Sequence, residues 1–164
     1  MRRLAVIAIA GALLGAPAVA GARGTVDGMV VGKTRTLVPV KHVPLKKRFV
    51  GIDGRRCAIG RATPLSVLAG TGISFRLVDY GACSRRPRDA GSLYVRKIGP
   101  DRAKGRDGWV YKVGNRSASA GAADPSGAFG RGRLRRGQRV TWFFCRLRDG
   151  GCQRTLALVE ARPE

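Results

Sequence analysis

Hydrophobic and polar positions alternate in several short runs along the chain, and most of these runs predict strands. The clearest is Trp109-Val110-Tyr111-Lys112-Val113, in which Trp109, Tyr111 and Val113 share one face and Lys112 lies on the other. Thr36, Val38 and Val40 alternate with Arg35, Leu37 and Lys41, a first strand that Pro39 marks as an edge. Phe49-Val50-Gly51-Ile52 runs into the turn signal Asp53-Gly54. Ser74 to Tyr80 sets Phe75 and Leu77 against Arg76 and Val78, and Leu93 to Ile98 is a further strand. Val140 to Cys145 is apolar on both faces, which predicts a central strand. Thr155 to Val159 reads as the last one.

One segment carries helix signals instead. The Thr63 oxygen can cap free amides, Pro64 suits the first helical position, Leu65 and Leu68 share a face, and Gly70 marks the end. Two turns of helix need tertiary packing to persist. The remaining chain is punctuation. Gly24 to Gly32 is small and irregular and reads as linker, Gly99 to Gly108 as a polar loop, and Gly114 to Gly132 as a long excursion. No fixed-period repeat is present. The order of strand, helix, then several strands predicts a small α+β domain over residues 35–164, preceded by a linker over 23–34.

The first 22 residues read differently. Arg2 and Arg3 precede an apolar run from Leu4 to Leu14, Pro17 breaks it, and Ala18-Val19-Ala20 supplies a small-x-small cleavage pattern, with a second site ending at Ala22. This predicts a signal peptide over 1–22 and a secreted or cell-surface protein. An uncleaved anchor is the competing reading, weakened by Pro17 and by the Ala and Gly content. Removal of the leader leaves about 140 residues, the size of one domain.

The cysteines fit export. Cys57, Cys83, Cys145 and Cys152 form an even set in a short chain, which predicts two disulfides. Cys145 and Cys152 flank the turn signal Asp149-Gly150-Gly151, so a bridge across a hairpin is natural there, leaving Cys57 for Cys83. In the chain-entropy picture the two bridges contribute about 2.4 and about 3.5 kcal/mol. No C-x₂-C pair occurs, which disfavours a zinc site.

Composition narrows the chemistry. The chain has 164 residues, 32 Lys plus Arg against 10 Asp plus Glu, and a formal charge of +22. At 44% hydrophobic content a packed core is attainable. The single histidine, His42, excludes a histidine-rich metal site, and no Ser-His-Asp or Cys-His set can be assigned. The only glutamates, Glu160 and Glu164, sit at the C-terminus, which disfavours a paired-carboxylate hydrolase. Asp101 and Asp107 alternate with basic residues, unlike a calcium loop, and predict turns and local ion pairs. The expectation is a monomeric protein with no enzymatic activity, metal or cofactor.

Two candidate sites remain. Trp109, Tyr111 and Trp142 could form an aromatic platform for a small flat ligand, with Tyr80 and Tyr94 as weaker additions. The competing reading is that alternating aromatics in a strand are core residues. Arg131, Arg133, Arg135, Arg136 and Arg139 form the longest basic cluster, beside Lys46-Lys47-Arg48, Arg85-Arg86-Arg88 and Arg102-Lys104-Arg106. Arginine forks bind phosphate and carboxylate, so an anionic cell-surface polymer is a candidate partner. A solvated surface of compositional origin is the alternative. No motif for sequence-specific nucleic-acid recognition occurs.

The second half resembles the transcobalamin C-terminal-like domain family. The likeness rests on Gly108-Trp109-Val110-Tyr111-Lys112-Val113, the small stretch Ser119-Ala120-Gly121-Ala122-Ala123-Asp124, and Leu134-Arg135-Arg136-Gly137-Gln138-Arg139-Val140-Thr141-Trp142. Thr63 to Leu68 followed by Phe75 to Tyr80 also looks like the family's helix-then-strand opening. The likeness spans roughly Arg35 to Val159. It implies a small β-grasp-like mixed sheet with one short helix and, as in the best-known members, a ligand of cobalamin type. This chain departs from the pattern at Val113-Gly114-Asn115, at Arg136-Gly137-Gln138 and in its four cysteines, and it lacks the helical partner domain.

Overall fold

The computed structural model describes residues 24–148 and 151–153. The expected leader (1–22) and the strand predicted over Thr155–Val159 lie outside the described residues. The fold is α+β. Its main sheet is mixed and is built from β1 (Thr25–Val31), β2 (Thr36–Pro44), β8 (Gly108–Val113), β9 (Arg116–Ser117), β10 (Arg139–Arg148) and β11 (Gly151–Gln153). The order across it is β2-β1-β10-β8-β9, with β11 paired to β10. β1 runs parallel to β10, whereas β1–β2 and β10–β8 are antiparallel.

The placement of β10 follows from its sequence. A strand apolar on both faces belongs in the interior of a sheet, and residues Val140 to Cys145 are all buried between β1 and β8. β2 lies at the margin, where Pro39 costs no interior ladder bond.

β1 overturns the linker expectation for 23–34. Asp27 and Gly28 interrupt its strand signal, yet both have structural reasons to be there. A Cβ at Gly28 would meet Val67 Cγ1 at 2.9 Å, so only glycine lets the helix approach this closely. The Asp27 carboxylate lies 2.7 Å from His42 Nδ1 on β2 and 3.9 Å from the Arg139 guanidinium on β10.

The helix α1 spans Pro64–Thr71 and packs on β1 and β2. Its start is the expected one. The Thr63 hydroxyl oxygen accepts from the Ser66 amide, and the Ser66 hydroxyl oxygen accepts from the Thr63 amide, both at 3.2 Å. The end falls two residues later than expected. Gly72, not Gly70, takes the left-handed conformation (φ 85°) that closes the helix. Lys41 Nζ donates to the Thr71 carbonyl at 2.8 Å, a cation at the negative helix end.

Two smaller sheets complete the domain. β3 (Arg48–Ile52) and β4 (Arg55–Ile59) form a hairpin whose Asp53 and Gly54 both have positive φ, as a two-residue turn of this kind requires. β5 (Phe75–Asp79), β6 (Leu93–Ile98) and β7 (Asp101–Arg102) form the other. β4 and β7 were not legible as strands, because one begins with two arginines and the other has two residues.

Both disulfides connect as expected: Cys57–Cys83 and Cys145–Cys152, with Cα separations of 5.5 and 5.4 Å. Paired disulfides of this kind mark a protein of an oxidising compartment. The first bridge ties β4 to the loop after β5. Asp79 organises that same loop. Its carboxylate accepts from the Cys83 amide at 2.9 Å, the Gly81 amide at 3.1 Å and the Ser92 hydroxyl at 3.0 Å, and it meets the Arg55 guanidinium at 3.2 Å. The Cys83 amide first, then Gly81, Ser92 and Arg55, hold this carboxyl below the usual carboxylate range against the opposing effect of burial. A depressed folded value means that this stabilisation is complete above the ordinary carboxylate pKa of about 3.9 and is lost as pH falls through the folded value. The hydrogen-exchange protection of Gly81 and Cys83, relative to the intrinsic rate at each pH, is therefore expected to fall selectively below about pH 4. In an Asp79→Asn variant that protection should be low at all pH values.

Candidate functional site: an aromatic-walled cavity

Trp109, Tyr111 and Trp142 are brought together, but not as an exposed platform. Their relative exposures are only 4%, 8% and 2%. The alternation in β8 turns Trp109 and Tyr111 inward, and the β10 register sets Trp142 opposite Tyr111. Their rings lie 5.3 Å apart at 40°. Trp109 meets Phe144 edge-on at 5.5 Å. Each polar atom has a partner. Trp109 Nε1 donates to the Asp101 carbonyl at 3.0 Å, and Trp142 Nε1 to the Pro64 carbonyl at 3.3 Å. The Tyr111 hydroxyl donates to the Ala120 carbonyl at 2.6 Å. These residues are core, as the competing reading held.

The same three rings also wall a cavity of about 240 Å³. It lies where β6 and β8 face each other without pairing. Leu93, Tyr94 and Val95 of β6 form one side, and Trp109, Val110 and Tyr111 of β8 the other, with Trp142 beside them. Ala118, Ala120, Gly121 and Ala122 close it, because only small side chains leave the space open. β9 covers β8 at Lys112 and Val113 alone, so the Gly108–Tyr111 edge borders the cavity. The half-exposed Tyr94 and Val110 stand at its mouth. Tyr94 reaches in over Gly108, where a Cβ would lie 2.6 Å from its hydroxyl.

Tyr111 is the latch of this arrangement. It fixes the 118–122 stretch to β8. Burial, with the Asp124 charge adding to it, pushes the Tyr111 hydroxyl up to about 12. A raised value means that the stabilisation is present below the unfolded tyrosine pKa of about 10 and is lost as pH rises from there through 12. Stability is therefore expected to fall across this alkaline window, and a Tyr111→Phe variant should lose that component of the decline. Urea midpoints measured between neutral and alkaline pH check this.

The sequence marked the aromatic wall but missed the small-residue wall as a site component. Tyr80, the other weak candidate, is 72% exposed, tilts against Tyr94 at 6.2 Å, and does not line the cavity.

Arg131, Arg133, Arg135, Arg136 and Arg139 are all exposed. Arg139 lies at the start of β10 near Asp27, and the others occupy the segment leading to it. The Asp101 and Asp107 carboxylates differ from the expected local ion pairs, because each binds the backbone amide of a segment distant in sequence. Asp101 accepts from the Lys33 amide at 2.9 Å, and Asp107 from the Leu147 amide at 3.1 Å. Among the described residues no three His, Cys, Asp or Glu side chains converge as metal ligands, and no helix is long and apolar enough to cross a membrane.

Compared with known protein families, curated proteins and solved structures, the chain matches none.

Proposed function

We propose that the chain is a secreted or cell-surface binding module without enzymatic activity, whose site is the cavity between β6 and β8. The observation that carries this is the convergence of Trp109, Tyr111 and Trp142 on one apolar cavity held open by small residues. Apolar walls with a few carbonyls and two tyrosines suit a flat, weakly polar ligand. A β-grasp arrangement is part of the proposal. It is supported by a first strand parallel to the last long one, a hairpin partner outside it and a helix across the sheet. The transcobalamin-like motifs point to a ligand of cobalamin type. At about 240 Å³ the cavity is smaller than the roughly 300–1,000 Å³ of drug-sized sites, so a planar fragment or the edge of a corrinoid enters rather than the whole molecule.

Thermal shift tests this. Benzimidazole, as a planar fragment, and intact cobalamin are the probes. Ligand at a hundred times its Kd stabilises by about 2.7 kcal/mol, a rise of several degrees in Tm. Ala118→Leu, which fills part of the cavity, should keep its fold and lose the shift. Equal shifts in both proteins would place the ligand elsewhere.

Charge supports a second reading, a basic interaction protein that binds extracellular polyanions such as cell-wall polymers. Its support is the +22 charge with the Arg131–Arg139 cluster exposed. The two readings separate by salt, which weakens polyanion binding steeply and leaves apolar binding nearly unchanged.

A further inference from the structure

The β3–β4 hairpin holds two cations against one ring. Phe49 is 43% exposed, and two cations sit over its ring: Arg56 Cζ at 4.4 Å and Lys47 Nζ at 5.0 Å from the centroid. Among the described residues, the other rings with a cation hold one each, Lys33 over Phe144 and Arg116 over Phe129. Lys47 Nζ also donates to the Arg85 carbonyl at 3.4 Å. The loop carrying Arg85 and Arg86 is fixed beside the hairpin by the Cys57–Cys83 bridge and by the Ala58 amide, which donates to the Ser84 carbonyl at 2.7 Å. Ala58 is the register partner of Phe49, so this loop lies one strand away from the ring. The neighbouring carboxylate, Asp89, accepts from the Ser84 hydroxyl at 2.6 Å.

We propose that this hairpin face, with Lys47 and Arg56 clamped on Phe49 and Arg85 and Arg86 held beside them, is the seat for a linear polyanion bearing sulfate or phosphate groups. The inference rests on the polyanion reading and moves its site away from the Arg131–Arg139 cluster. The physical reason is preorganisation. A cation already held against a ring or on a bridged loop loses less freedom when an anion arrives. Arginine forks supply paired donors to tetrahedral oxyanions. A bilayer surface fits less well, because a ring occupied by cations is not free to insert among acyl chains.

The test uses the full chain with three probes: heparin, inorganic polyphosphate, and vesicles of phosphatidylglycerol and phosphatidylcholine in equal parts. Heparin and polyphosphate separate sulfate from phosphate preference. K47Q/R56Q and R133Q/R135Q each remove two positive charges from exposed positions. The hairpin pair is expected to weaken polymer binding about tenfold and to reduce the slope of log K against log salt by roughly 1.4, at about 0.7 per lost contact on a flexible chain. The second pair should weaken binding by less than about threefold, since it removes only long-range charge. F49L keeps every charge and should weaken binding about threefold through loss of the clamp. Equal weakening by both pairs, or an F49L variant indistinguishable from wild type, overturns the seat and leaves the polyanion reading standing. No binding of either polymer at low salt overturns both. Binding to vesicles alone overturns the polymer assignment in favour of a membrane surface.

Discussion

Replacing Trp142 by alanine is expected to cost about 3–5 kcal/mol, a large part of the roughly 5–15 kcal/mol that holds a domain of this kind together. Trp142 is 2% exposed at the centre of β10, and its ring packs on Tyr111. Its Nε1 donates to the Pro64 carbonyl at the first turn of α1, so it joins sheet to helix. The substitution removes buried ring area, opens a void beside an existing cavity and removes the hydrogen bond that joins sheet to helix. A Trp142→Phe variant keeps most of the volume and loses the hydrogen bond, so its cost should be near 1–2 kcal/mol. Denaturant unfolding followed by far-UV circular dichroism measures both. A Trp142→Ala cost below about 1 kcal/mol would mean that this junction does not hold the core.

Removing the Cys57–Cys83 bridge as a double serine variant is expected to cost about 3.5 kcal/mol by the chain-entropy relation, which rises with the logarithm of loop length. The separation here is 26 residues, against 7 for Cys145–Cys152. The loss should appear in the denaturant midpoint of the double variant, with a smaller loss for the hairpin bridge. The larger effect is not independent of Asp79. Its carboxylate binds the Cys83 amide, so bridge and hydrogen bond hold one loop. Cutting both should cost less than the sum of the separate losses, because either one alone already frees the segment.

Much of this architecture was legible because the signals were local. The two-faced apolarity of Val140 to Cys145 placed β10 in the sheet interior, Pro39 placed β2 at its margin, and Thr63-Pro64 fixed the start of α1. The disulfide pairing followed from one turn signal. β1 was not legible. Its Asp27 and Gly28 look like loop residues until their neighbours are known: a histidine on β2, an arginine on β10, and a helix pressed against the glycine. The aromatic triad was visible, but whether it was wall or core was not. It is both, because the cavity exists only where β6, β8 and the 118–122 stretch meet, and no local pattern encodes that meeting. The cations on Phe49 were invisible for the same reason. Arg56 reaches that ring through strand pairing, and a disulfide holds the Arg85 loop one strand away.

The central claim is that the cavity takes a flat ligand, and intrinsic tryptophan fluorescence tests it most directly. The chain has two tryptophans, Trp109 and Trp142, and both line the cavity. Titration with benzimidazole, and with cobalamin after correction for its own absorption, should give a saturable change whose midpoint is the same at low and high salt. A flat titration, or a signal that disappears as salt rises, would contradict the cavity as the binding site and leave charge as the basis of recognition.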